Sequence, residues 1–165
     1  MTLLLKTLKE DINQSINSGD SKFHKTGKSK KANNQIVYSD TQIQTYLKLG
    51  IEYDNENDIN IHRQIGISFD KRHDFDLDYG YDSYAFDIQE TDAYWQFPGN
   101  QNKYSIAGIE EISDDLTFPI VLKLHSDKKV KILVDEHRNL ERDVYLVDNI
   151  TNLSYKITNT PIELD

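Results

Sequence analysis

Four carboxylates, Asp74, Asp76, Asp78 and Asp82, alternate around Gly80 and are the residues most obviously placed to do chemistry. Alternating aspartates at a glycine turn can converge on a hard cation, so these four are the candidate metal ligands and calcium is the ion they would take. The spacing is not that of an EF-hand. With Asp74 counted first, the glycine falls seventh instead of sixth, and Ala85 stands twelfth, where a bidentate glutamate is needed. A solvated acidic surface loop accounts for the same run. Tyr79, Tyr81, Tyr84, Tyr94 and Trp95 crowd the same stretch, and Tyr81, Tyr84, Tyr94 and Trp95 are the candidate ligand-binding rings. Exposed rings beside carboxylates can hold the apolar face of a surface glycan, and aromatic rings fill a core equally well. Both readings stay open on alternation alone.

Other chemistries find no support. The chain has no cysteine, which excludes a disulfide framework, a thiol nucleophile and thiolate metal sites. His24, His62, His73, His125 and His137 do not pair at zinc spacing, and His62 and His125 fall on outward strand positions where solvation is the ordinary state. Neither a Gly-x-Ser-x-Gly elbow nor a phosphate-cradling glycine fingerprint is present. Carboxylate pairs are too abundant here to single out a glycosidase site. No catalytic residue is assigned, and the chain is expected not to be an enzyme.

The elements that would position these residues are strands. At 165 residues, 37% of them hydrophobic, the chain is long enough for one ordinary domain with a tail. Leu5, Leu8, Ile12 and Ile16 recur at three and four, which predicts a short N-terminal helix, and the small basic run after it predicts a solvated loop. Residues 1–34 are therefore expected to form a helix and loop segment, and residues 35–165 a separate β-domain. Within the latter the period changes to two. Ile43, Leu47, Leu49, Ile51 and Tyr53 share one face, and Ile65, Ile67 and Phe69 share the next, with His62, Gln64 and Ser68 outward, giving a hairpin across the polar turn between them. A long irregular stretch runs from Asp70 to Pro98. Phe118, Ile120, Leu122 and Leu124 then alternate, as do Val130, Ile132 and Val134, while Val144 and Leu146 would oppose Tyr155 and Ile157. Short, evenly spaced strands of this kind predict an all-β, antiparallel β-sandwich of jelly-roll type.

The charge is unevenly placed. Residues 1–38 carry +4 and the remainder −13, within a net charge of −9, so the main domain would repel a phosphate backbone and nucleic acid is not an expected partner. No stretch approaches the roughly 20 apolar residues of a membrane helix, so no membrane insertion by a helix is expected. The opening MTLLLKTLKED is no signal peptide. The ending at Ile162 and Leu164 looks like a strand cut off before it can pair, which favours a fragment of a longer protein and predicts an exposed sheet edge with weak self-association.

The order FDKRHDFDLDYGYDSYAFD, DAYWQF, KYSIAGI, FPIVLKLHSDKKVKILVDE and DVYLVDNITNLSYKIT resembles the β-sandwich module that precedes the C-terminal sorting domain in Bacteroidota cargo of the type IX secretion system. The likeness covers roughly residues 33 to 165 and is carried by Gly80, Tyr81 and Asp82, by Pro119 and its apolar strand, and by Tyr145, Leu146 and Asp148. The family continues into a further strand and the sorting domain, which would lie past Asp165. The resemblance implies a non-enzymatic stalk, passenger or adhesion-associated module of a secreted cell-surface protein, with neighbouring domains of a longer chain as partners and no catalytic residues to transfer. A carbohydrate-binding sandwich using the loop from Asp74 to Trp95, with calcium, is the alternative. A glycoside-active domain, which would need an acid pair in a cleft, is a third.

Overall fold

The structure, a computed structural model, describes residues 2–8, 44–78, 80–113, 116–125 and 129–164. Among them are eleven strands and no helix: β1 (Thr2–Leu8), β2 (Thr45–Asp54), β3 (Asn60–Phe69), β4 (Ser83–Tyr84), β5 (Asp92–Trp95), β6 (Tyr104–Ile109), β7 (Thr117–Lys123), β8 (Val130–Arg138), β9 (Asp143–Asp148), β10 (Ser154–Ile157) and β11 (Ile162–Leu164). The fold is all-β, as the alternation predicts. The strands pair in one continuous order, β10-β9-β1-β7-β5-β6-β3-β2-β8-β11, with β4 added on β6. The expected two antiparallel sheets are thus joined in a single mixed sheet, because β3 and β6 run parallel, Gly66 to Phe69 beside Ile106 to Ile109. A parallel pair needs a long crossover. The acidic, ring-rich stretch from Asp70 to Lys103 is that crossover.

Period-two alternation selects the core. Leu47, Leu49, Ile51 and Tyr53 of β2 are buried, as are Ile65, Ile67 and Phe69 of β3, Phe118, Ile120 and Leu122 of β7, and Val130, Ile132 and Val134 of β8. The β2–β3 hairpin closes where the Asn55 side chain accepts hydrogen bonds from the Asn57 and Ile59 amides, at 2.9 and 3.0 Å, and Asp58 takes a left-handed φ of 55°. In the β9–β10 hairpin Tyr155 faces Leu146 and Ile157 faces Val144, the predicted register. Ser68 is a departure. Expected on the wet face, it is buried, because its partner Gly108 lies beneath the His73 ring and the crossover covers that part of the sheet.

Two expectations at the ends of the sequence are corrected. The predicted N-terminal helix is a strand over Thr2–Leu8, lying antiparallel between β7 and β9, with Leu5 fully buried opposite both Phe118 and Leu146. Periodicity cannot separate helix from strand over so short an apolar run, and Leu3 to Lys6 are paired on both edges, which satisfies backbone groups that a lone helical turn would leave open. Residues 2–8 therefore share a compact unit with residues 44–164, instead of belonging to a separate segment 1–34. Ile12, Ile16 and the basic loop lie outside the described residues. At the other end, Ile162 and Leu164 do pair, opposite Ile132 and Val130 of β8. The Val134 amide also donates to Thr158 O at 2.7 Å, so the chain leaving β10 is tied to β8 before β11 begins.

Candidate functional site

The crossover is a scaffold built from its own carboxylates. The Asp78 side chain receives the His73 ring nitrogen Nδ1 at 3.0 Å and the Asp74 amide at 3.4 Å. Asp82 accepts from the Asp78 amide at 2.8 Å through one oxygen and from the Gly108 amide at 2.6 Å through the other, which pins the loop to β6. Asp74 accepts from the Asp76 amide at 2.8 Å. At the start of the loop the Arg72 guanidinium grips Asp70 with two bonds of 2.8 and 2.6 Å and holds that carboxyl well below the usual carboxylate range. Among the described residues no three His, Asp or Glu side chains converge as a metal ligand set. The predicted ligands Asp78 and Asp82 are turned instead toward backbone amides, which is what fixes the turn at Gly80, whose φ is 93°.

His73 is the pivot of this arrangement. Its side chain is only 4% exposed and lies over Gly108, where a Cβ would meet the ring at 3.1 to 3.4 Å, so any larger residue there would press on the ring. The Tyr81 ring packs against it, with centroids 4.2 Å apart and planes tilted by 53°.

The predicted ligand-binding rings separate into two groups. Trp95 is fully buried: it donates from Nε1 to Gly66 O at 2.8 Å and meets Phe118 edge-on at 5.6 Å. Tyr94 is also buried, under the Lys103 ammonium at 4.9 Å from its ring centroid. Tyr84 stacks on the buried Tyr104 ring at 5.4 Å. These three pack into or against the core, which removes Tyr94 and Trp95 as an open platform for a sugar. Tyr81 alone of the four is exposed, at 42%. Tyr79 lies outside the described residues.

A second polar cluster was not singled out from sequence. On the outer face of β2, β3 and β8, His62 Nε2 meets Asp135 Oδ2 at 2.8 Å and His62 Nδ1 meets Glu52 Oε1 at 3.4 Å, while the Gln64 amide donates to the same Asp135 oxygen at 2.8 Å. Gly50 makes room for it, since a Cβ there would run into the Asp135 carboxylate and come within 2.7 Å of His62 Cε1. The hairpin register puts Glu52 beside His62 and was readable in principle. Asp135 was not, because a bulge between Lys48 and Leu49 in the β2–β8 ladder brings it there. The two carboxylates address opposite ring nitrogens, so the imidazole bridges them and cannot join both in coordinating one ion.

Hydrogen bonding to Asp135, with a smaller contribution from Glu52, holds His62 above its ordinary pKa, against a partial opposing effect of burial. A raised value in the folded state stabilises below the unfolded value of about 6.5, and that stabilisation is lost as pH rises through the folded value. The melting temperature is therefore expected to fall modestly as pH is raised from about 6 to about 9, and His62→Gln should flatten that slope. The effect is small because the ring is 43% exposed. A slope identical in the two proteins would show that the bridge contributes nothing.

No family model, curated protein or solved structure matches this chain.

Proposed function

We propose that the chain is a non-enzymatic all-β module of an exported cell-surface protein, serving as a folded stalk or an adhesion-associated passenger. One observation carries the non-catalytic part: the side chains best suited to chemistry are engaged in holding the fold. Asp78 and Asp82 bond backbone amides of the crossover and of β6, and Trp95 and Tyr94 are buried. A spacer needs this arrangement, whereas a glycan platform in this loop needs several coplanar rings open to solvent. The surface location is supported by the ordered series of short motifs from Phe69 to Thr158 and by the acidic main domain, which suits a solvated exterior.

The test is the accessibility of the full chain in the cells that produce it. A protease too large to cross the envelope, applied to intact cells, should remove an epitope placed in the chain while leaving a cytoplasmic control whole. An epitope that survives on intact cells and is cleaved only after lysis would refute the surface assignment.

A further inference from the structure

The outer face of the sheet carries an open groove of about 640 Å3, lined by Tyr46 and Lys48 of β2, Gln64 and Gly66 of β3, Ile106 of β6, and Tyr81 from the crossover. Gly66 forms its floor. It sits between Lys48 on one neighbouring strand and Ile106 on the other, and a Cβ built there meets nothing closer than 3.9 Å, so the missing side chain leaves open space. Ile106, 48% exposed, supplies an apolar strip beside it.

A tyrosine stands on each bank, and each is braced from outside the groove. Tyr81 is backed by the buried His73 ring, which Asp78 fixes, and the next residue, Asp82, is tied to the Gly108 amide of β6. Tyr46, on the β2 side, donates its hydroxyl to Glu136, which also takes the Lys48 ammonium at 2.5 Å. Rings held in this way lose little freedom on binding, which favours affinity. The charges of the lining are matched as well. Lys48 is paired with Glu136, and Arg63, which also borders the groove, lies 3.1 Å from Asp92.

We propose that this groove binds a neutral oligosaccharide. A sugar ring offers an apolar C–H face, which the Tyr81 ring and the Ile106 strip suit, and a rim of hydroxyls, which the carboxamide of Gln64 and the tyrosine hydroxyls can meet, while the Lys48 ammonium lies over the Tyr46 ring, 5.4 Å from its centroid. The volume falls within the roughly 300 to 1,000 Å3 of small-ligand clefts. The paired cations and the net charge of −9 disfavour an anionic sugar. The acidic crossover thus acquires a purpose beyond packing: it mounts Tyr81. This inference rests on the groove alone, and its failure would leave the structural module as it stands.

The experiment is titration of the full chain, by calorimetry and by ligand-detected NMR, with cellohexaose, maltohexaose, laminarihexaose, xylohexaose and mannohexaose, each to about 10 mM. At least one should bind. Tyr81→Ala should weaken that binding about tenfold, the effect of losing one aromatic contact. Gly66→Ala, whose Cβ would meet nothing closer than 3.9 Å, raises the floor and should weaken binding about tenfold in a protein whose melting temperature is little changed. Tyr155→Ala, an exposed tyrosine on β10, should leave it intact. Absence of binding by all five hexaoses would overturn the proposal. So would binding indifferent to both groove substitutions.

Discussion

Replacing Trp95 with alanine is expected to lower the free energy of unfolding by about 4 kcal/mol, within the range for removing a large buried ring. The ring is fully buried on β5, between Tyr104 of β6 and Ile120 of β7 in the ladder, and meets Phe118 edge-on. Its indole N–H also donates to Gly66 O, and losing that hydrogen bond adds about 1 kcal/mol. Domains of this size are stable by only about 5 to 15 kcal/mol, so Trp95→Ala should lie near the edge of folding. Trp95→Phe keeps most of the volume and loses the N–H, so about 1 to 2 kcal/mol is expected. Urea unfolding followed by far-UV circular dichroism measures both. A loss below about 1 kcal/mol for the alanine variant would mean that the ring is not in the core.

Asp92→Ala should cost about 3 kcal/mol, because it removes a buried carboxylate on which two backbone amides and a partly exposed guanidinium depend. Asp92 is 2% exposed, accepts from the Gln89 amide at 3.0 Å and the Ala93 amide at 2.8 Å, and faces the Arg63 guanidinium at 3.1 Å. Arg63 Nε is itself buried and not aligned for a hydrogen bond, so the attraction is between charges, and removing the carboxylate leaves that nitrogen uncompensated. Asp92→Asn keeps an acceptor for only one of the two amides, because Gln89 and Ala93 bond different oxygens, and should recover only part of that loss. Combining Asp92→Ala with Arg63→Met should recover part of the loss, because the stranded charge goes with it. Strict additivity of the two substitutions in urea melts would contradict the pairing.

These two residues mark where the sequence was legible and where it was not. β2, β7, β8 and β9 follow from alternation, because each buries one face in the core, whereas in β3 Ser68 is covered as well and in β10 only Ile157 is buried and Tyr155 is exposed. Leu5 was misassigned to a helix because its stabilising partners, Phe118 and Leu146, lie more than a hundred residues away and leave no local trace. The parallel β3–β6 pair was hidden for the same reason: only the path of residues 70–103 decides it. In that path about half of the residues are acidic or aromatic, a composition that fits a metal loop, a sugar platform or a packed crossover alike. The carboxylates of Asp78 and Asp82 could be assigned only once the Asp74, Asp78 and Gly108 amides were seen to point at them. Tyr81 was named as a ligand-binding ring, but its companion in the groove, Tyr46, was not, because the β2–β3–β6 order that assembles the groove depends on the same crossover.

The central claim is that the crossover from Asp70 to Lys103 holds Tyr94 and Trp95 inward and serves the fold. Trp95 is the only tryptophan, so its fluorescence reports on that claim without any substitution. In the native full chain the emission should be blue-shifted and nearly insensitive to acrylamide, moving to the red and becoming quenchable only on unfolding in urea. A native emission already red and freely quenched would place Trp95 in water, as a sugar platform in this loop would require, and would contradict the account.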